Sequence, residues 1–86
     1  MSNTHFLKSW PENFRPLKIG LRQFEVRLND RSYNVGDRLL LQEWDPAKEQ
    51  YTGAELLLKV RYILQGKFGL PPDICVMQLE LLDGGK

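Results

Sequence analysis

Glu25 and Arg27 lie two residues apart in Gln23-Phe24-Glu25-Val26-Arg27-Leu28-Asn29, a segment whose polar and apolar residues alternate. Successive strand side chains point to opposite sides, so Phe24, Val26 and Leu28 share one face and Gln23, Glu25, Arg27 and Asn29 the other. A carboxylate and a guanidinium thus share a face, with Arg22, Asp30 and Arg31 at the strand ends. Guanidinium forks suit a phosphate or a base edge, and a neighbouring carboxylate orients a fork or accepts from an amino group. The competing reading is a plain ion pair on a sheet, worth roughly 0–1 kcal/mol at a surface. A solvated strand face seldom needs so many such groups, and function is expected on this polar row.

The ligand-binding candidates are Lys8, Arg22, Glu25, Arg27 and Arg31. Asn29 and Asp30 favour turns for backbone reasons, which leaves Arg31 free to reach a ligand. Lys8, between Phe6 and Trp10 at strand spacing, either snorkels from a rim or lines the same cleft. If the chain is an enzyme, Glu25 is the one reasonable general base and Lys8 the remaining amine nucleophile. Arg22 can serve as neither, because a guanidinium stays protonated beyond about pH 12. Trp10 is expected in the core, while Trp44 and Tyr51 flank a polar loop and suit either core or base stacking. Thr52 reads as a turn residue without a base, and His5 as a strand-end residue.

Composition narrows the class. The 86 residues suffice for a single domain, taken as 1–86 with 83–86 as a frayed tail. Twelve basic and eleven acidic side chains leave the chain nearly neutral, against a broad nucleic-acid-binding surface. Between Arg15 and Arg38, however, six basic residues face three acidic ones, which allows a local basic patch. One cysteine, Cys75, and one histidine exclude an intrachain disulfide and a common zinc site, so no metal is expected. A lone cysteine suits a reducing cytoplasm. The first residues lack a signal-peptide pattern, and no apolar run approaches the ~20 residues of a membrane span. Phosphate-loop, dinucleotide-binding, zinc-protease and nucleophile-elbow patterns are absent, and no cofactor is expected.

The elements that must position these residues follow from periodicity and punctuation. Residues 5–10 read as a strand, and Pro11 suits the first turn of a helix ending before Gly20. Pro16 conflicts with that helix, predicting a kink there or a regular part that starts after Pro11. Strands follow over 23–28, 38–44, 54–64 and 74–81, separated by turns that include Thr52-Gly53. In the longest strand, Leu56, Leu58, Val60, Tyr62 and Leu64 are expected on one face. The sum is an α+β, mainly β chain: a small barrel of about five strands with one early helix.

Gly20-Leu21-Arg22-Gln23-Phe24-Glu25-Val26-Arg27 resembles the signature of ASCH domains, small β-barrels of the PUA-like superfamily. Further pieces similar to short bacterial and phage ASCH-like proteins run in order along the chain. They include Pro11-Glu12-x-Phe14, Asn29-Asp30-Arg31-x-Tyr33, Gly36-Asp37, Glu43-Trp44 and Tyr51-Thr52-Gly53. The resemblance implies a PUA-like barrel whose cleft binds RNA or a nucleotide, with Arg22, Glu25 and Arg27 at the three motif positions. Arg22 replaces the usual motif lysine, which is catalytic in the ASCH branch that deacetylates a modified cytidine, and Glu25 stands where that branch has threonine. The expected function is therefore an RNA- or nucleotide-binding module. The alternatives are a small hydrolase acting on a modified nucleoside or RNA, and a protein-interaction module using exposed strand edges.

Overall fold

The structure is a computed structural model that describes residues 3–84. Its elements are β1 (Thr4–Ser9), α1 (Pro11–Lys18), β2 (Phe24–Leu28), β3 (Arg38–Asp45), β4 (Gln50–Gln65) and β5 (Ile74–Asp83). The five strands form one sheet in the order β1-β3-β4-β5-β2, curled into a half-barrel. β1 runs parallel to β3, and every other pair is antiparallel. This is the mainly β architecture with one short helix that the pattern predicts. The order leaves β1 and β2 as the two edges, and the seam between them stays open.

Leucines at alternate positions face the concave side. Leu7, Leu39, Leu41, Leu56 and Leu58 are buried there with Val60, Cys75, Met77 and Leu79. Helix α1 adds Phe14 and Leu17, three residues apart on one face, as a plug over that core. Pro11 stands at its first position, and the Trp10 carbonyl accepts N–H bonds from Asn13 and Phe14, both at 2.9 Å. The helix starts at Pro11 and runs on through Pro16. The bond Pro16 cannot donate would reach only the exposed first turn, so its loss is tolerated there.

Three expectations are corrected. Thr52-Gly53 is not a turn but part of β4, at a register shift between Gln42 and Trp44 of β3, where Gly53 takes a φ of +94°. Glycine's left-handed conformation here builds a bulge instead of reversing the chain. A second bulge, between Val60 and Tyr62, inserts Arg61 and exchanges the faces of β4. Leu56, Leu58 and Val60 point inward as expected, but Tyr62 turns to solvent and Ile63 packs on the core. Trp10 caps the helix with its side chain half exposed instead of entering the core. Of the stretch 83–86 expected as a tail, Asp83 is the last residue of β5, and residues 85–86 lie outside the described ones.

Candidate functional site

The end of α1 sets the first functional side chain. Gly20, with φ +78°, follows the helix, and its N–H bonds the Leu17 carbonyl at 3.2 Å. The Arg22 N–H then bonds the Pro16 carbonyl at 3.1 Å, which ties Arg22 to the helix end. From there the Arg22 side chain donates through Nε to the Phe24 carbonyl (2.9 Å) and through Nη1 to Asn13 Oδ1 (3.1 Å). Its Nη2 donates to Glu25 Oε1, and the guanidinium lies 5.4 Å from the Phe24 ring centroid.

Strand β2 supplies the other two members. Glu25 is opposite Met77 and Arg27 opposite Cys75, so both side chains lie on the core side of the sheet. Glu25 is only 3% exposed. Phe24, Val26 and Leu28 occupy the outer face and are about half exposed. The usual arrangement turns the apolar row of a strand inward; β2 does the reverse. The inversion holds because Glu25 is paired on both oxygens: Arg22 takes Oε1 and Arg27 Nε donates to Oε2 at 2.8 Å. A buried carboxylate without such partners would cost several kcal/mol, roughly 3–5 when one partner of a buried pair is removed.

Arg27 also reaches across the seam. Its Nη2 donates to the backbone carbonyl of Lys8 on β1 at 3.0 Å. A side chain, not a strand ladder, therefore bridges the two edges of the half-barrel. Beside this bridge lies a cavity of about 350 Å3 lined by Ser9, Trp10, Asn13, Arg22, Glu25 and Arg27, among others. Arg22 uses three of its five N–H donors and Arg27 two in the bonds named above, leaving donors on both forks. Two guanidiniums against one carboxylate give the cavity a net positive lining.

Ser9 is the residue that the sequence did not single out. It is 2% exposed, lines this cavity, and its Oγ has no hydrogen-bond partner. Buried hydroxyls are normally paired, so the unpaired Ser9 Oγ, enclosed within the protein, is an exception beside this cluster. Asn13, which orients Arg22, was missed as well, since its role depends on the chain returning from α1 to β2.

The other expected residues divide. Lys8 lines the cavity, with its Nζ 3.9 Å from the centroid of the Trp44 ring. Its ammonium therefore sits on an aromatic face rather than beside the Arg22–Glu25–Arg27 cluster. Arg31 is exposed in the loop after β2 and is not among the residues that line this cavity. Trp44 and Tyr51 stack edge to face, 5.0 Å between centroids. Thr52 has an acceptor after all: its hydroxyl donates to Glu43 Oε1 at 2.9 Å, while Arg15 Nε donates to Oε2 at 3.4 Å. This pair lies outside the cavity lining and braces the bulge at Gly53.

A second polar cluster sits at the start of β1. Buried Asp37 accepts from His5 Nε2 (2.8 Å), the Asn3 N–H (3.1 Å) and the Asn34 N–H (3.0 Å). Burial pushes its carboxyl up, and these hydrogen bonds outweigh that push, so it lies below the ordinary aspartate range. Burial raises the Cys75 thiol and the Tyr33 phenol, which makes Cys75 an inert core residue. Among the described residues no group of three histidine, cysteine or acidic side chains is placed to hold a metal. Nor is any helix among them long and apolar enough to cross a membrane.

Fold and site together define a curled half-barrel with an arginine–carboxylate–arginine cluster in its open seam. The chain belongs to the family described as Domain of unknown function (DUF3850), whose model matches residues 4–79 and so spans the whole cluster. No curated protein matches the chain.

Proposed function

We propose that the chain is an ASCH-like module of the PUA-like class that binds RNA or a nucleotide in the seam cleft. The carrying observation is the Arg22–Glu25–Arg27 cluster around buried Glu25, whose two partly exposed forks are held rigid by protein partners yet keep unused donors beside a 350 Å3 cavity. Preorganised donors lose little entropy on binding, which suits recognition of a phosphate or a base edge. The half-exposed Trp10 at the cavity rim offers a ring for stacking. The resemblance of Gly20–Arg27 to the ASCH signature supports the same reading. So does the engagement of both Glu25 oxygens by guanidiniums, which suits an orienting group better than a general base. A cytoplasmic setting agrees with a buried free thiol at Cys75.

Fluorescence anisotropy against a panel of short single-stranded RNAs tests the proposal. The wild-type protein should bind at least one member with an affinity that falls as salt rises. Arg27→Ala should weaken that binding roughly tenfold or more, as expected for loss of a charged hydrogen-bonding group, while thermal unfolding stays cooperative. The proposal fails if no RNA shows salt-sensitive binding, or if a folded Arg27→Ala variant binds like wild type.

A further inference from the structure

Arg22 borders a second cavity as well as the first. This one measures about 430 Å3 and lies between the end of α1 and strands β4 and β5. Buried Leu17, Leu58 and Leu79 give it an apolar floor, and its polar lining consists of Arg22, Gln23, Arg61, Gln78 and the carboxylate Glu80. Arg22 is fixed by its bonds to Phe24, Asn13 and Glu25, so two separate hollows share one immobilised cation.

Arg61 strengthens the case. It is the residue inserted by the β4 bulge between Val60 and Tyr62, and bulges re-aim side chains, often beside binding sites. Its Nη1 donates to Glu80 Oε1 at 3.1 Å, across to β5 at a half-exposed rim, which leaves further donors on its fork. The second hollow therefore combines an apolar floor, which accepts the flat face of any base, with two guanidiniums at its border and one carboxylate, Glu80, that holds Arg61 through a single nitrogen.

We infer that this cavity is a second subsite, taking the nucleotide adjacent to the one in the seam cleft, so that the ligand is a single-stranded RNA of at least two nucleotides. The neighbouring base lies on the Leu17–Leu58–Leu79 floor, and the phosphate that joins the two units passes between Arg22 and Arg61. The inference rests on the nucleic-acid reading of the seam cleft. It goes further by making the ligand a strand that crosses Arg22 rather than a free mononucleotide.

The test is a competition assay with a labelled octaribonucleotide as probe and unlabelled mono-, di- and trinucleotides as competitors. The 5′-phosphorylated dinucleotide should bind about tenfold tighter than the mononucleotide, the gain expected from one added base contact. Arg61→Ala should remove most of that gain, leave the mononucleotide unchanged, and reduce the salt slope for the octamer by about 0.7, the value for one phosphate contact on a single strand. Arg61 is half exposed, so the variant folds, and mononucleotide binding reports this internally. Equal affinities for the mono- and dinucleotide, or equal weakening of both by Arg61→Ala, overturn the second subsite and leave the seam cleft standing. Absence of binding at every length overturns both readings.

Discussion

Glu25 and Asp37 are two buried carboxylates made tolerable by different means. Glu25 is neutralised by guanidiniums on both oxygens, while Asp37 collects two backbone N–H groups and His5. The second arrangement pins the start of β1 to the turn before β3, and its loss is measurable. Asp37→Asn should destabilise the protein by about 1–3 kcal/mol at neutral pH, the usual result of disturbing a buried charged hydrogen-bonded group. The direction of the pH effect follows from the depressed carboxyl of Asp37. A group held below its unfolded value contributes fully above that value, near pH 4, and loses the contribution as pH falls through its folded value. The stability gap between wild type and Asp37→Asn should therefore narrow below about pH 4. Urea denaturation at pH 7 and pH 3 checks this, and a gap unchanged at pH 3 contradicts it. At this scale the sequence was partly legible. Charge and spacing marked Arg22, Glu25 and Arg27, but Ser9 and Asn13 carry no local mark, because one is defined by an unmade bond and the other by a residue nine positions away.

Strand β2 keeps the alternation of its sequence and exchanges its sides. Its outer apolar row is left uncovered, while its polar row lines the open seam that Arg27 bridges to β1. Val26→Thr should then change stability by no more than about 0.5 kcal/mol, as for an ordinary surface position. An inward Val26 would lose far more, and a thermal or chemical melt separates the two cases. Alternation fixes which residues share a face and is silent on which face is buried. The same limit explains β4. Its pattern reads cleanly up to Val60, and the bulge at Arg61 then shifts the period by one, placing Tyr62 outside. A single inserted residue is invisible in a periodic pattern until the partner strand is known. Thr52-Gly53 misled for a related reason, since a left-handed glycine serves a bulge as well as a turn.

At the scale of the molecule, the half-barrel depends on a helix to finish it. Phe14 is buried where α1 lies over the sheet, and the same helix carries Asn13 and leads into Arg22. Phe14→Ala should cost about 3–5 kcal/mol, as for a large aromatic removed from a core. It should also loosen the seam cleft, because the helix that orients Arg22 loses its anchor. Denaturation gives the first effect, and slower proteolysis of wild type than of the variant within residues 11–22 would show the second. Composition and periodicity alone determined the mainly β class, the number of strands and the early helix, and set Arg22, Glu25 and Arg27 among candidates that also included Lys8 and Arg31. Those features arise from local preferences and from spacing along the chain. Only the tertiary structure decided that β1 and β2 become opposite edges, that the polar row of β2 faces the seam, and that Arg22 stands between two cavities. These depend on contacts between residues far apart in sequence, where burial of one charge is repaid by a partner that no local pattern announces.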